Sequence, residues 1–410
     1  MHLKISKKVM IGLMSLIVTF IVVIGLWLVL RAKPDPFKGD AITNRAFPSL
    51  TYGIQTFLWW DGGETGLHLD WVRLMSYSHV KQTFAWKDLE PRQDDWDWEQ
   101  ADRIMEELER RGLRMVARLG QVPEWAQPES DDLLKIDESH DVPPADMADW
   151  RDFCFTIADR YKGRIVAYQI WNEPNLTREW GMELPDPAGY VALLAECSQE
   201  IRRADPDAVL ISAGLAPTGN NDATATPDDV YLDQMYRNNF QQYIDVVGVH
   251  ATGYAPPEFG PDDAEKEGRG RWFTFRRIED LRKIMIAYGD EARQMAIMEF
   301  GYTTDPLNPD YAWFAVTEEE QADMLKRAYE YAVDNWRPWV GLMTLIYMPS
   351  PGWVPEDEEY WWAITTPDKG HRPAFFTLAN MPKVCDDFVI PTRENDSPVA
   401  LGLEPAPICP

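Results

Sequence analysis

The sequence predicts a (β/α)8 barrel preceded by one N-terminal transmembrane helix. Three observations carry that reading. Eight short apolar runs follow one another, each is followed by room for a helix, and residues 9–30 form an uncharged stretch long enough to cross a bilayer. Apolar runs without polar alternation suit strands of a parallel sheet covered on both faces. Eight strand–helix units are the count of a closed barrel, with an open doubly wound sheet as the alternative. No Gly-rich phosphate loop follows the first run, which counts against a dinucleotide-binding version.

The N-terminal stretch covers residues 9–30, a run of 22 residues without charge. At about 1.5 Å per residue it reaches roughly 33 Å, enough for the hydrocarbon core of a bilayer. Lys4, Lys7 and Lys8 precede it, and Arg31 and Lys33 follow. A cleavable signal peptide is the competing reading. Its apolar region would run about 7–15 residues and end in a small-x-small site, and Leu28-Val29-Leu30-Arg31 offers none. Residues 1–30 therefore read as a cytoplasmic stub and uncleaved single-pass anchor, and 31–48 as a tether. The short N-terminus and the large acidic body favour an extracytoplasmic barrel.

In residues 31–410, 37 basic residues face 67 acidic ones, a net charge of −30. Such a surface repels phosphate backbones and argues against nucleic acid as a partner. An apolar fraction of 45%, with 18 Trp, 16 Tyr and 16 Phe, argues for a packed core rather than disorder. Protein partners stay open.

The strand runs are 52–59, 80–86, 114–119, 165–171, 209–215, 246–250, 295–300 and 340–347. Successive runs are at least about 25 residues apart, space for a crossover helix each time. Residues 98–111 carry apolar side chains at helical spacing and stop at Gly112. Residues 317–335 open with Thr317 three positions before Glu320, a capping-box pattern. The barrel domain is thus expected over 49–382. Residues 383–410 are Pro-rich and helix-poor, an extension that wraps the barrel or trails from it.

Four cysteines are too few for a disulfide-built scaffold. Cys154 and Cys197 lie in amphipathic helical text and read as core thiols. Cys385 and Cys409 lie in the extension, where a bridge would clip the tail. On this reading two free thiols are expected.

In a barrel, chemistry sits where strands end on the C-terminal face. Two glutamates fall there, Glu173 after the fourth run and Glu299 near the end of the seventh. An unpaired charge inside an apolar strand is costly, so Glu299 is either half of a buried ion pair or functional. Two facing carboxylates suit glycoside hydrolysis, one protonating the leaving oxygen while the other attacks or activates water.

Trp171-Asn172-Glu173-Pro174-Asn175 resembles the acid/base signature of the retaining β-glycosidases built on (β/α)8 barrels, the clan of cellulases, mannanases and β-xylosidases. Its continuation Asn175-Leu176 to Trp180 is most similar to the β-xylosidase and iduronidase branch. Phe84-Ala85-Trp86 with Leu89-Glu90-Pro91, then Trp96 and Trp98, resemble that clan's second-strand loop. Val122-Pro123-Glu124-Trp125 resembles its third loop, Asp245-Val246-Val247-Gly248-Val249-His250 its sixth strand, and Met298-Glu299-Phe300-Gly301 its nucleophile strand. Arg372-Pro373-Ala374-Phe375 resembles its closing phrase. Together these words cover roughly residues 50–380.

The resemblance implies Glu173 as acid/base and Glu299 as nucleophile, Asn172 at the sugar 2-hydroxyl and His250 beside the pair. Trp86, Trp125 and Trp180 are its candidates for stacking on sugar rings. Three positions depart from the pattern. Lys81 stands where an Arg usually orients the nucleophile, supplying charge without the bidentate fork. Thr252 takes the place of a usual Tyr unless Tyr254 reaches in. The eighth strand lacks its usual Trp, with Trp353, Trp361 and Trp362 as substitutes. For the roles to divide, Glu299 must be ionised and the Glu173 pKa is expected to rise.

No metal or cofactor is expected, because the six His are scattered and no Cys-x-x-Cys occurs. A serine nucleophile elbow and a Gly-Lys-Ser/Thr loop are absent too. The acidic run 356–359 reads as a solvated loop rather than a calcium site. The expected activity is double-displacement cleavage of β-glycosidic bonds in an extracellular or cell-envelope oligo- or polysaccharide. The alternative is a weakened barrel that serves as a glycan-binding or membrane-complex accessory subunit.

Overall fold

The computed structural model describes residues 45–60, 63, 65–129, 141–392 and 407–410, with Met14, Phe20, Phe37, Ile42 and Thr43 as isolated positions. The expected membrane span, apart from Met14 and Phe20, lies outside the described residues. Among the described residues no helix is long and apolar enough to cross a membrane.

Each of the eight apolar runs contributes one strand: β1 (Thr51–Gln55), β2 (His79–Ala85), β3 (Arg114–Gly120), β4 (Ile165–Ile170), β5 (Val209–Ser212), β6 (Val246–His250), β7 (Gln294–Phe300) and β8 (Val340–Leu345). They pair in parallel, in chain order, and β8 returns to β1 with Gly53 opposite Thr344. Closure rules out the open sheet.

Seven crossover helices and one helix after β8 cover the barrel: α1 (Thr65–Leu74), α2 (Glu99–Arg110), α3 (Met147–Arg160), α4 (Pro187–Ala204), α5 (Asp228–Arg237), α6 (Ile278–Ala287), α7 (Glu318–Asn335) and, last, α8 (Pro373–Asn380). Their apolar spacing does the covering. In α2 the buried residues are Ala101, Ile104, Met105 and Leu108, one stripe at i, i+3, i+4 and i+7. The predicted capping box starts α7: Thr317 Oγ1 accepts from the Glu320 N–H at 3.1 Å, and Glu320 Oε2 accepts from the Thr317 N–H at 2.9 Å. Such a cap is worth about 1 kcal/mol.

The barrel interior holds a small apolar cluster of Val116, Ala167, Ile211, Val246, Ala296, Met298 and Leu342, joined by Phe47. The larger core lies between the strands and the helices. Opposite the strand C-termini, the extension folds back as a hairpin of β9 (Lys383–Cys385) and β10 (Phe388–Ile390). The Leu50 N–H donates to the Val384 carbonyl at 3.1 Å, which ties the hairpin to the start of β1. Cys385 is bridged to Cys409, their Cα atoms 5.9 Å apart.

The reading of Cys154 and Cys197 as thiols is corrected. Both are buried, as expected, but α3 and α4 lie side by side and bring the two into a disulfide, with Cα atoms 5.3 Å apart. A spacing of 43 residues between two helices carries no signal of that pairing.

Candidate active site

Glu173 stands three residues beyond β4, on a turn whose backbone is forced. Trp171 and Glu173 have φ of 71° and 40°, left-handed values that cost an ordinary residue about 1 kcal/mol or more. The surroundings impose them. The Trp171 N–H donates to Leu119 O at 2.9 Å and the Glu173 N–H to Gly214 O at 3.0 Å. Asn175, fully buried, donates its side-chain amide to the Ala216 and Thr226 carbonyls and accepts from the Ala216 N–H. The Asn-Glu-Pro-Asn word is thereby clamped to the loop after β5.

Glu299 reaches the barrel mouth through an irregularity. The register of β7 slips against β8 between Ile297 and Phe300, and against β6 beside His250. Met298 joins the interior cluster while the next residue, Glu299, lines the mouth. Bulges re-aim a side chain in this way. Lys81, on β2 and 1% exposed, donates to Glu299 Oε1 at 2.8 Å and to Met298 O at 3.2 Å.

His250, at the end of β6, joins the two acids. Its Nδ1 lies 2.8 Å from Glu173 Oε1 and 3.9 Å from Glu299 Oε2. One carboxylate oxygen of each glutamate and a His250 ring nitrogen all fall within 4.8 Å of one another. The ring fits only because residue 214 is glycine, since a Cβ there would sit 2.1 Å from His250 Cδ2. The same trio has the donor types for a metal ion, yet Lys81 stands on Glu299 and Arg178 lies 3.5 Å from Glu173 Oε2. A cation would have to compete with both charges.

The electrostatics follow from these neighbours. Burial pushes the Glu299 carboxyl up, but Lys81, His250 and Arg118 outweigh it and hold it at about 2. Burial likewise pushes Glu173 up, while the His250 hydrogen bond and the charges of His250 and Arg178 bring it below the ordinary carboxylate range. The expected rise at Glu173 is therefore reversed, because His250 and Arg178 outweigh burial and the repulsion of Glu299. Burial brings Lys81 down to about 8 against the opposing pull of Glu299. Glu179 is lifted to about 8 chiefly by burial, with Glu173 and Asp141 adding to the rise, and burial raises Glu358 on the same wall as well.

The mouth opens into a cavity of about 590 Å³. Gln55, Arg118, Asn172, Glu173 and Glu299 line it, with Thr252, Arg178, Glu179, Glu358 and Glu359. Aromatic walls come from Phe57, Tyr254, Tyr311, Tyr347, Trp353 and Trp362. The run 356–359 thus contributes two carboxylates to the cavity wall instead of lying apart as a solvated loop. Tyr254 pairs with Thr252 and stacks on Phe273 and Trp313. Tyr347 and Trp353 stand beyond β8, where the sequence lacks the usual Trp.

The three predicted stacking tryptophans lie elsewhere. Trp86 is fully buried, stacked on Phe153, with its Nε1–H on Glu90 Oε2 at 2.7 Å. Trp125 packs edge-on against Trp86 and donates to Glu90 O at 2.9 Å. Trp180 is 7% exposed, edge-on to Trp171 and Tyr190. Trp86 and Trp180 are buried in packing and Trp125 is half-buried, and none of the three lines the cavity that holds the glutamates.

Sequence reasoning passed over Gln55, Arg118, Arg178 and Glu179. Arg118 carried a signal: like Glu299, it is a charge inside an apolar strand run. Its Nε is buried without a hydrogen-bond partner among the described residues. Gln55 Oε1 is in the same condition, on a side chain 5% exposed.

Residues 60–176 match a family model described as beta-galactosidase, glycoside hydrolase family 42. No curated protein matches. Among solved structures, a family 39 glycoside hydrolase from the gut symbiont Bacteroides cellulosilyticus WH2 is 17% identical over 82% of this chain and 64% of that one, at a TM-score of 0.59. Xylanase 10B from Thermotoga maritima is 14% identical over 84% of this chain and 95% of that one, at 0.53. An exo-beta-1,4-mannosidase from Opitutaceae bacterium strain TAV5 is 16% identical over 82% and 61%, at 0.56. This chain spans less than two thirds of the first and third of these. The chain is a closed (β/α)8 barrel, and 117 of its 410 residues match a glycoside hydrolase family model.

Proposed function

We propose that this protein is a retaining β-glycosidase of an extracellular or cell-envelope glycan, held to the membrane by residues 9–30. The observation that carries the reading is the Glu173–His250–Glu299 constellation at one barrel mouth, with one oxygen of each carboxylate within 4.8 Å of the other. Retention uses carboxyl groups about 5–5.5 Å apart, whereas inversion needs roughly 6.5–9.5 Å to seat a water. The family model and the glycosidase structures of similar fold support glycan hydrolysis in general. The two disulfides suit an oxidising, extracytoplasmic location.

Glu299, ionised and oriented by Lys81, attacks the anomeric carbon while Glu173 protonates the leaving oxygen. Glu173 must gain a proton first. A sugar filling the cavity expels water and strengthens the desolvation that already pushes Glu173 upward. Displacement of Arg178 by the sugar would remove part of the charge that holds Glu173 down. Forming the glycosyl ester then removes the Glu299 charge, so the Glu173 pKa falls and it serves as base toward water. The accessory-subunit reading has one argument in its favour: His250 and Arg178 hold the Glu173 carboxyl below the ordinary range, against the acid role. A screen with aryl β-glycosides and plant or bacterial polysaccharides tests the proposal. Turnover of at least one supports it, and binding of glycan without turnover favours the accessory subunit.

A further inference from the structure

A second recess, about 240 Å³, opens outside the catalytic cavity and is lined by Trp59, Trp60, Gln100 and Arg103. Trp60 is 48% exposed, an unusual state for an indole ring. Its neighbours are fixed. Arg103 donates to Gln100 Oε1 from Nε at 3.0 Å and to the Leu58 carbonyl at 3.3 Å. Trp59 packs edge-on against Phe84 of β2. The recess is therefore a shaped wall with an aromatic face and polar groups beside it.

It also neighbours the catalytic cavity, through one ring contact. The Trp60 ring centroid is 6.3 Å from that of Phe57, with the ring planes 34° apart. Phe57 is 4.7 Å from Trp353 and 5.5 Å from Tyr347, and all three line the cavity that holds Glu299. Four aromatic side chains thus form a path from the carboxylates to the outer recess. Aromatic faces pack on the apolar faces of pyranose rings while side chains at the edge take hydroxyls. A single sugar at the carboxylates has no use for Trp60, but a chain leaving the cavity along Phe57 does.

We infer that Trp60, with Trp59 and Arg103, is a remote subsite that holds a neutral β-linked polysaccharide chain several sugars from the bond being cleaved. The inference rests on the glycosidase reading and adds to it that the substrate is a polymer.

The test compares wild type, Trp60→Ala and Trp60→Phe in full-length protein on two readouts. The first is kinetics on the cleaved polysaccharide and on a one-sugar aryl glycoside too short to reach Trp60. Trp60→Ala is expected to raise KM for the polymer about tenfold relative to that for the aryl glycoside, with kcat little altered and Trp60→Phe recovering part of the loss. Equal losses on both substrates, or none on the polymer, overturn the subsite. The second readout is retardation of the catalytically silent Glu299→Gln protein in gels cast with the same polysaccharides, with and without Trp60→Ala. Retardation that Trp60→Ala weakens supports the subsite even if no turnover is found, which would sink the glycosidase reading alone. Retardation unchanged by Trp60→Ala, or absent for every polysaccharide, overturns the subsite.

Discussion

Lys81 on β2 stands 2.8 Å from Glu299 Oε1 on β7, a buried ammonium that orients a carboxylate from across the barrel. Its proton is the vulnerable part of the arrangement. Lys81 is charged below about 8 and loses its charge as pH rises through that value, whereas Glu299 stays ionised down to about 2. Beyond an earlier break, below the ordinary carboxylate range, where Glu173 loses the proton it must give, the alkaline limb of kcat/KM near 8 should report Lys81, and Glu299 should not appear in the acid limb. Lys81→Met should cost about 10²-fold or more in kcat. Lys81→Arg should keep activity and shift the alkaline limb to higher pH, because guanidinium does not titrate there. Glu179 is also raised to about 8, so Glu179→Gln is the control. A limb that moves with Glu179→Gln and not with Lys81→Arg refutes this assignment.

Gly214 gives His250 its room. A Cβ at 2.1 Å from the ring must push the imidazole off Glu173. Gly214→Ala should therefore lower kcat by about 10²-fold, the usual cost of misplacing a catalytic group by an ångström. The barrel itself should survive, which circular dichroism can check. Wild-type kcat in Gly214→Ala would show that His250 need not sit there.

All four cysteines are paired, so thiol counting after denaturation should find no free thiol in protein from its native compartment. Replacing Cys154 and Cys197 with Ala should cost about 2–4 kcal/mol of stability by the loop-closure argument, seen as a lower Tm. Turnover should be unaffected, since neither residue lines the cavity. Two free thiols would return this pair to its reduced state.

The barrel was legible because parallel strands covered on both faces must be apolar throughout, and eight such runs are hard to misread. The capping box at Thr317 and Glu320 was legible because it is a local hydrogen-bond pattern. What escaped were properties of approach between distant segments. Cys154 meets Cys197 only when two helices pack, and Trp86 turns inward because Phe153 and Glu90 receive it. Arg178 sits five residues from Glu173, but its effect on that carboxyl depends on a turn whose shape Asn175 sets. The fall of the Glu173 pKa was therefore invisible in the sequence, although both glutamates were found from their place at strand ends.

Glu173→Ala should cripple substrates with poor leaving groups and spare activated aryl glycosides, which need little protonation. Azide should rescue that variant and give a β-glycosyl azide, because a small anion can occupy the vacated carboxylate site and needs no general base. Uniform loss across leaving groups, with no azide product, would remove Glu173 from the acid/base role.

The central claim is double displacement through Glu299, and the anomeric configuration of the first-formed product tests it most directly. Proton NMR during rapid hydrolysis of a β-glycoside should show the β-anomer first, with the α-anomer growing in only as mutarotation proceeds. Glu299→Gln should show neither. An α-anomer formed first would mean that water, and not Glu299, attacks the sugar, and would contradict the account.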